Sequence, residues 1–137
     1  MMANCDVPPA ASLAERLARG DVFCEDCPSR EILSHLTSRW GVLILVALTN
    51  GTYRFAELRR RVGGISEKML AQTLRSLETD GLVNRTAHPV VPPHVDYCLT
   101  PLGYEAAEKV QVLADWVEVN VPKFLAARRA MQAAEVD

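Results

Sequence analysis

Four cysteines and three histidines are the side chains of this 137-residue chain best suited to chemistry. Cys24-Glu25-Asp26-Cys27 has the C-x-x-C spacing, which admits several chemistries. A structural zinc site needs four ligands, and neither a second C-x-x-C nor an H-x3-H accompanies this one, so no metal is expected. A thioredoxin-like dithiol needs a preceding strand in a βαβ unit, which is missing. A thiol sensor fits the position of Cys27 directly before Pro28, because proline suits the first turn of a helix and a helix N-terminus favours thiolate. Glu25 and Asp26 oppose that effect. A plain structural role for Cys24 and Cys27 stands beside the sensor reading, and the pattern leaves both open. Cys5 and Cys98 read as incidental. His35 lies on an apolar-flanked helix, and His88 and His94 flank a proline-rich segment. No Ser/His/Asp arrangement, HExxH motif or phosphate-cradling glycine loop is present, so neither an enzyme nor a bound cofactor is expected.

The residues suited to recognition lie in 55–82, FAELRRRVGGISEKMLAQTLRSLETDGL. Phe55, Leu58 and Val62 recur at helical spacing, and Gly63-Gly64 stop that helix. Ser66 can cap a second helix, Glu67 suits its positive end, and Ile65 can staple onto Leu70. Leu70, Leu74 and Leu77 share one face of this helix, and Gly81 ends it. Its other face carries Lys68, Gln72, Thr73, Arg75, Ser76 and Thr79. These side chains bond phosphates and base edges, so the stretch reads as a helix-turn-helix with Ser66, Lys68, Met69, Gln72, Thr73 and Arg75 near the major groove.

The remaining elements must position that pair. Ala10, Leu13, Ala14 and Leu17 make a short amphipathic helix whose apolar face suits a partner subunit. Pro28 opens a helix through Ile32, Leu33 and Leu36. The segment GVLILVALTNG at 41–51 is apolar nearly all round and reads as the buried core helix, stopped at Asn50-Gly51. Tyr53-Arg54 suggest a short strand. Residues 82–87 and 95–99 alternate as two strands around HPVVPPH at 88–94, a hairpin with a stiff tip, and Arg85, His88 and His94 are expected to meet the nucleic-acid backbone or minor groove there. Thr100-Pro101 starts a last helix with Leu102, Ala106, Val110, Leu113, Val117 and Val121 on one stripe, widened by Trp116 and Val119. Pro122 is expected to kink or end it before a shorter helical tail.

The fold class is therefore mainly α with a small β-hairpin, a winged helix-turn-helix with added dimerisation helices at both ends. It divides into an N-terminal arm and helix at 1–26, a DNA-binding domain at 27–103, and a C-terminal dimerisation helix and tail at 104–137. The formal net charge of -2 argues against a non-specific nucleic-acid coat, yet residues 51–90 carry seven bases against four acids, net +3. A basic face on an acidic chain suits docking to DNA on one side. No basic leader precedes an apolar run at the start, and the longest apolar run, 42–48, falls far short of the roughly 20 residues that span a bilayer. A cytoplasmic protein with no membrane partner is expected.

Residues 27 to about 118 resemble the HxlR-type regulators, a branch of the MarR-like winged helix-turn-helix proteins. The resemblance rests on Cys27-Pro28, Arg39-Trp40 before LIL at 43–45, Arg54-Phe55 with Glu57-Leu58, Gly64-Ile65-Ser66 with Met69-Leu70, and Leu77-Glu78 with Asp80-Gly81-Leu82-Val83. It continues through Pro92-Pro93 with Val95 and Tyr97, and Leu99-Thr100-Pro101-Leu102-Gly103. Where the family usually has two glycines and a lysine before the tryptophan, this chain has Thr37, Ser38 and Arg39. The resemblance implies a homodimeric regulator, a repressor or an activator, on a palindromic operator, without catalytic activity. It also implies a thiol sensor of oxidants or electrophiles at Cys27, with Cys24 or the partner's Cys27 as resolving thiol. Two other classes compete: a winged helix used only as a protein-interaction module, and a small thiol enzyme built on Cys24 and Cys27.

Overall fold

The computed structural model describes residues 21–136. Five helices and three strands follow in order among them: α1 (Pro28–Thr37), α2 (Arg39–Leu48), β1 (Tyr53–Arg54), α3 (Phe55–Arg61), α4 (Glu67–Thr79), β2 (Val83–His88), β3 (His94–Leu99) and α5 (Pro101–Val136). The amphipathic segment at 10–19 and Cys5 lie outside the described residues.

Pro28 takes the first position of α1, where its missing N–H costs nothing. One extended residue, Ser38, separates α1 from α2, and the two axes meet at 72°. Ser38 Oγ accepts from Gly41 N at 3.0 Å and donates to the His35 carbonyl at 3.1 Å, so one hydroxyl closes both helix ends. Gly41 is required at this corner because a Cβ would overlap the His35 carbonyl oxygen.

Helix α2 is the core helix, with Ile44, Leu45 and Leu48 fully buried, although Leu43 on its far side is 44% exposed. Around it gather Leu58 of α3, Leu70, Leu74 and Leu77 of α4, Val83, Tyr97 and Leu99 of the sheet, and Ala107 and Val110 of α5. Fully burying one such aliphatic side chain stabilises by roughly 1.5–3 kcal/mol, so this single cluster holds α2 to α5 and the sheet together. The sheet is antiparallel with order β1-β3-β2, and β3 is its central strand.

The end of α4 and the start of α5 are joined through one short segment. Gly81 at φ +79 lets α4 close in a Schellman turn: Gly81 N donates to Glu78 O at 3.0 Å and Leu82 N to Leu77 O at 2.9 Å. Thr100 then reaches back, its N–H donating to Leu82 O at 3.0 Å and its hydroxyl to Gly81 O at 2.6 Å. The same hydroxyl oxygen caps α5 by accepting from Gly103 N at 2.9 Å.

Helix α5 departs from expectation in two respects. It runs unbroken through Pro122 to Val136 instead of ending in a separate tail. Proline removes one intrahelical bond, but strong helix formers on both sides, such as Lys123, Leu125, Ala126 and Ala127, keep the helix going. Its inward face is Gly103, Ala107 and Val110, offset from the expected stripe, and Leu102 and Leu113 are about half exposed. Among the described residues, no side chain of α5 beyond Val110 is fully buried.

Gly103 lies so close to the Leu82 carbonyl that a Cβ would overlap its oxygen. Gly103→Ala is expected to lower stability by about 1–3 kcal/mol, the usual cost of overpacking a closed contact, read as a lower urea midpoint. An unchanged midpoint would mean that the clasp yields freely.

Candidate nucleic-acid interface

Helix α3 starts with Glu57 Oε1 accepting from Arg54 N at 2.8 Å, and Gly64, at φ +89, carries the chain into the turn. Arg59 braces that turn, its Nε donating to Ile65 O at 3.3 Å and its Nη1 lying 3.7 Å from Glu67. Ser66 Oγ accepts from Met69 N at 3.1 Å, and Ile65 and Leu70 are both buried across the first turn of α4. Ser66 therefore acts first as the helix cap.

Because Leu70, Leu74 and Leu77 are pulled into the core, 3.6-residue periodicity turns Lys68, Met69, Gln72 and Arg75 outward. Thr73 is half-buried, and its hydroxyl donates to Met69 O at 2.8 Å, so it has only lone pairs to offer a ligand. Among the described residues, the side chains of Lys68, Gln72 and Arg75 take part in none of the hydrogen bonds or ion pairs. Their donors are unspent. A solvated face would more often be laced with Glu and Lys pairs.

Two depressions flank α4. On one side Met69, Gln72, Thr73 and Ser76 face Ser34, His35 and Trp40 across a cleft of about 300 Å³. On the other, Ala71, Arg75 and Glu78 face Arg85 and Tyr97 across a groove of about 400 Å³. The first wall is fastened by a contact that periodicity does not reveal: His35 Nδ1 lies 2.6 Å from Asp80 Oδ2, and the Asp80 side chain is only 9% exposed. The pair spans 45 residues and joins α1 to the C-cap of α4. No local signal marks a contact so remote in the chain.

The hairpin separates residues that the sequence reading grouped together. His88 and His94 are not in the loop but form the last rung of the ladder, paired with each other. Arg85 pairs with buried Tyr97 and faces the groove beside α4. His88, three residues further along the strand, falls on the opposite face, since successive side chains alternate. There His88 Nε2 lies 2.8 Å from Asp96 Oδ2. Arg85 thus shares a surface with Arg75, and the two histidines sit on the outer side of the wing.

Cys27 is the N-cap residue of α1, with an extended backbone and no side-chain capping hydrogen bond to the first turn. Cys27 and Cys24 are buried, at 3% and 7% exposure, while Glu25 and Asp26 are exposed. Cys98 is half-buried on the outer face of β3.

The geometry agrees with what comparison with known proteins finds. A family model described as HxlR-like helix-turn-helix matches residues 35–124. The HTH-type transcriptional regulator YtfH of Escherichia coli K12 is 64% identical over 117 residues, covering 85% of this chain and 93% of that protein. A solved structure of the transcriptional regulator YtfH from Salmonella typhimurium superposes with a TM-score of 0.77 at 64% identity, over 80% of this chain and 98% of the other. The redox regulator HypR in its oxidised form superposes with a TM-score of 0.63 at 35% identity, over 69% of this chain and 97% of that one. The chain belongs to the HxlR-like helix-turn-helix family of transcriptional regulators.

Proposed function

We propose that this regulator binds duplex DNA sequence-specifically, as a homodimer on a pseudo-palindromic operator, and acts as a repressor. The observation that carries the reading is the outward face of α4, where Lys68, Gln72 and Arg75 hold unspent donors on a helix seated firmly on its leucines. Gln72 suits bidentate pairing with adenine, while Lys68, Arg75 and Arg85 suit phosphates or guanine. A module that binds only proteins has less use for such a face, and interface cores are depleted in charge.

Homodimerisation is supported by α5. Beyond Val110 it exposes Val112 at 67%, Leu113 at 49%, Trp116 at 56% and Val119 at 78%, and the Trp116 and Phe124 rings meet edge to face at 5.5 Å. Monomeric soluble proteins rarely leave an apolar surface of that extent uncovered. Pairing through α5 would set two α4 helices about 34 Å apart, one turn of B-DNA.

Redox control is supported by the likeness to HypR and by the place of Cys27 at the head of α1, whose other end is tied to α4 through His35 and Asp80. Peroxide would convert the Cys27 thiolate to a sulfenic acid, which condenses with Cys24 or the partner's Cys27 with loss of water. Because both thiols are buried, reaction requires the segment at 21–27 to open first.

Three measurements test this reading. In gel shifts with DNA flanking the gene, Gln72→Ala should weaken operator binding by roughly 1–3 kcal/mol and leave non-specific binding alone, whereas Arg85→Ala should weaken all sequences and flatten the salt slope. Full affinity in both variants would refute DNA recognition by this face. Sedimentation should give a dimer at micromolar concentration that Trp116→Glu shifts toward monomer; a wild-type monomer would remove the second claim. Peroxide or a quinone should release wild-type protein from its operator and spare Cys27→Ser, and equal loss in both would leave Cys27 a structural residue.

A further inference from the structure

The outer face of the wing carries a cluster that DNA docking beside α4 does not use. His88 and His94 form the closing cross-strand pair of the hairpin, with ring centroids 4.6 Å apart. Asp96, two residues beyond His94 on β3, projects from the same face. Its Oδ2 lies 2.8 Å from His88 Nε2, and its Oδ1 lies 4.0 Å from His94 Nε2. One ligand atom from each of the three residues fits within a span of 4.8 Å. We propose that His88, His94 and Asp96 form a binding site for a divalent transition-metal ion of the zinc type.

The donor set supports this. Two imidazoles and one carboxylate suit zinc, copper or nickel, and are poor for calcium or magnesium, which prefer oxygen alone. The dimensions agree as well. Donors about 2.0–2.2 Å from a tetrahedral ion stand roughly 3.4 Å from one another, so the present spacings close around an ion with small side-chain rotations. Three protein ligands leave a fourth position to water. The backbone beneath is already ordered by the strand register, and Pro89 and Pro93 fix φ directly after His88 and directly before His94. The three side chains are 38%, 26% and 27% exposed, so an ion can enter from solvent without unfolding the wing.

An ion here would take the place of the hydrogen bond between His88 and Asp96 and link both strands at the loop end of the hairpin. The rival reading is a hydrogen-bonded clamp that never takes metal. His35 and Asp80 provide a control within the same chain, since they make a similar contact with no second imidazole among the residues of that contact.

The test uses the full-length chain, reduced and free of any polyhistidine tag, with zinc and cobalt as probes. Zinc, measured by competition with a chromophoric chelator, should occupy one site per chain that survives Cys27→Ser. It should shift the ring NMR signals of His88 and His94 and leave His35 in place. Cobalt should give visible d–d bands without the near-ultraviolet charge transfer of a thiolate ligand. His94→Ala and Asp96→Ala should each lower affinity by about tenfold or more. The wild-type ring signals do not depend on how these variants fold. Absence of zinc binding to the wild type, zinc shifts that miss His88 and His94, or a thiolate band in place of nitrogen and oxygen ligation would overturn the proposal. None of these readouts involves DNA, so the site stands or falls separately from operator recognition.

Discussion

The Leu82 carbonyl is the point at which the end of α4 is fastened to the rest of the fold. It accepts the Thr100 N–H and lies against the Cα of Gly103, while its own residue closes the Schellman turn of α4. Four elements meet there: the end of α4, the start of β2, the end of β3 and the first turn of α5. A side chain at Gly103 would push α5 off the segment that ends α4. Close-packed junctions of this kind do not deform gradually, so the first turn of α5 is fixed to the segment that ends α4. In the proposed dimer, an arrangement imposed on the two α5 helices would reach the α4 helices through this junction.

Helix α1 is held in a different way. None of its residues is buried; Leu36 only packs partly against the core, and its firmest tie is the short contact from His35 to Asp80. Ten residues make a helix about 15 Å long, with Cys27 at one end and the α4 C-cap at the other. An element with few buried apolar contacts moves at low cost in free energy. Under the redox reading, that is what allows chemistry at Cys27 to act on α4 without disturbing the leucine core: α1 shifts, and the Asp80 carboxylate loses or keeps its partner.

How much of this was legible in the chain depended on the range of the interaction concerned. Periods of 3.6 and 2, glycine stops and the Ser66 cap act within a few residues, and they located α3, α4 and the two hairpin strands to within about a residue. The His35–Asp80 tie was not legible, because nothing near either residue signals a contact formed only when α1 folds back over α4. Grouping Arg85 with the histidines failed for a different reason. The alternation marks the hairpin but not the register at its tip, and three residues along a strand reverse the face. A search for metal sites by contiguous C-x-x-C or H-x3-H spacing passes over His88, His94 and Asp96 for the same reason, since the ladder, not the chain order, brings them together.

Helix α5 shows why a stripe on a helical wheel does not by itself identify what the stripe faces. Its first three turns bury only small residues and one valine, Gly103, Ala107 and Val110, and at Gly103 the Leu82 carbonyl leaves no room for a side chain. Leu102 and Tyr104 already point outward in the first turn, and beyond Val110 the bulky apolar residues Val112, Leu113, Trp116 and Val119 are all exposed. The long helix is better regarded as a single rod with two successive contact surfaces, a small-residue surface that joins it to the chain's own core and a large-residue surface left over for a second core. Because both surfaces lie on one continuous helix, the second keeps a defined angle to the first, and in the proposed dimer the spacing of the two α4 helices follows from that helix rather than from a flexible linker.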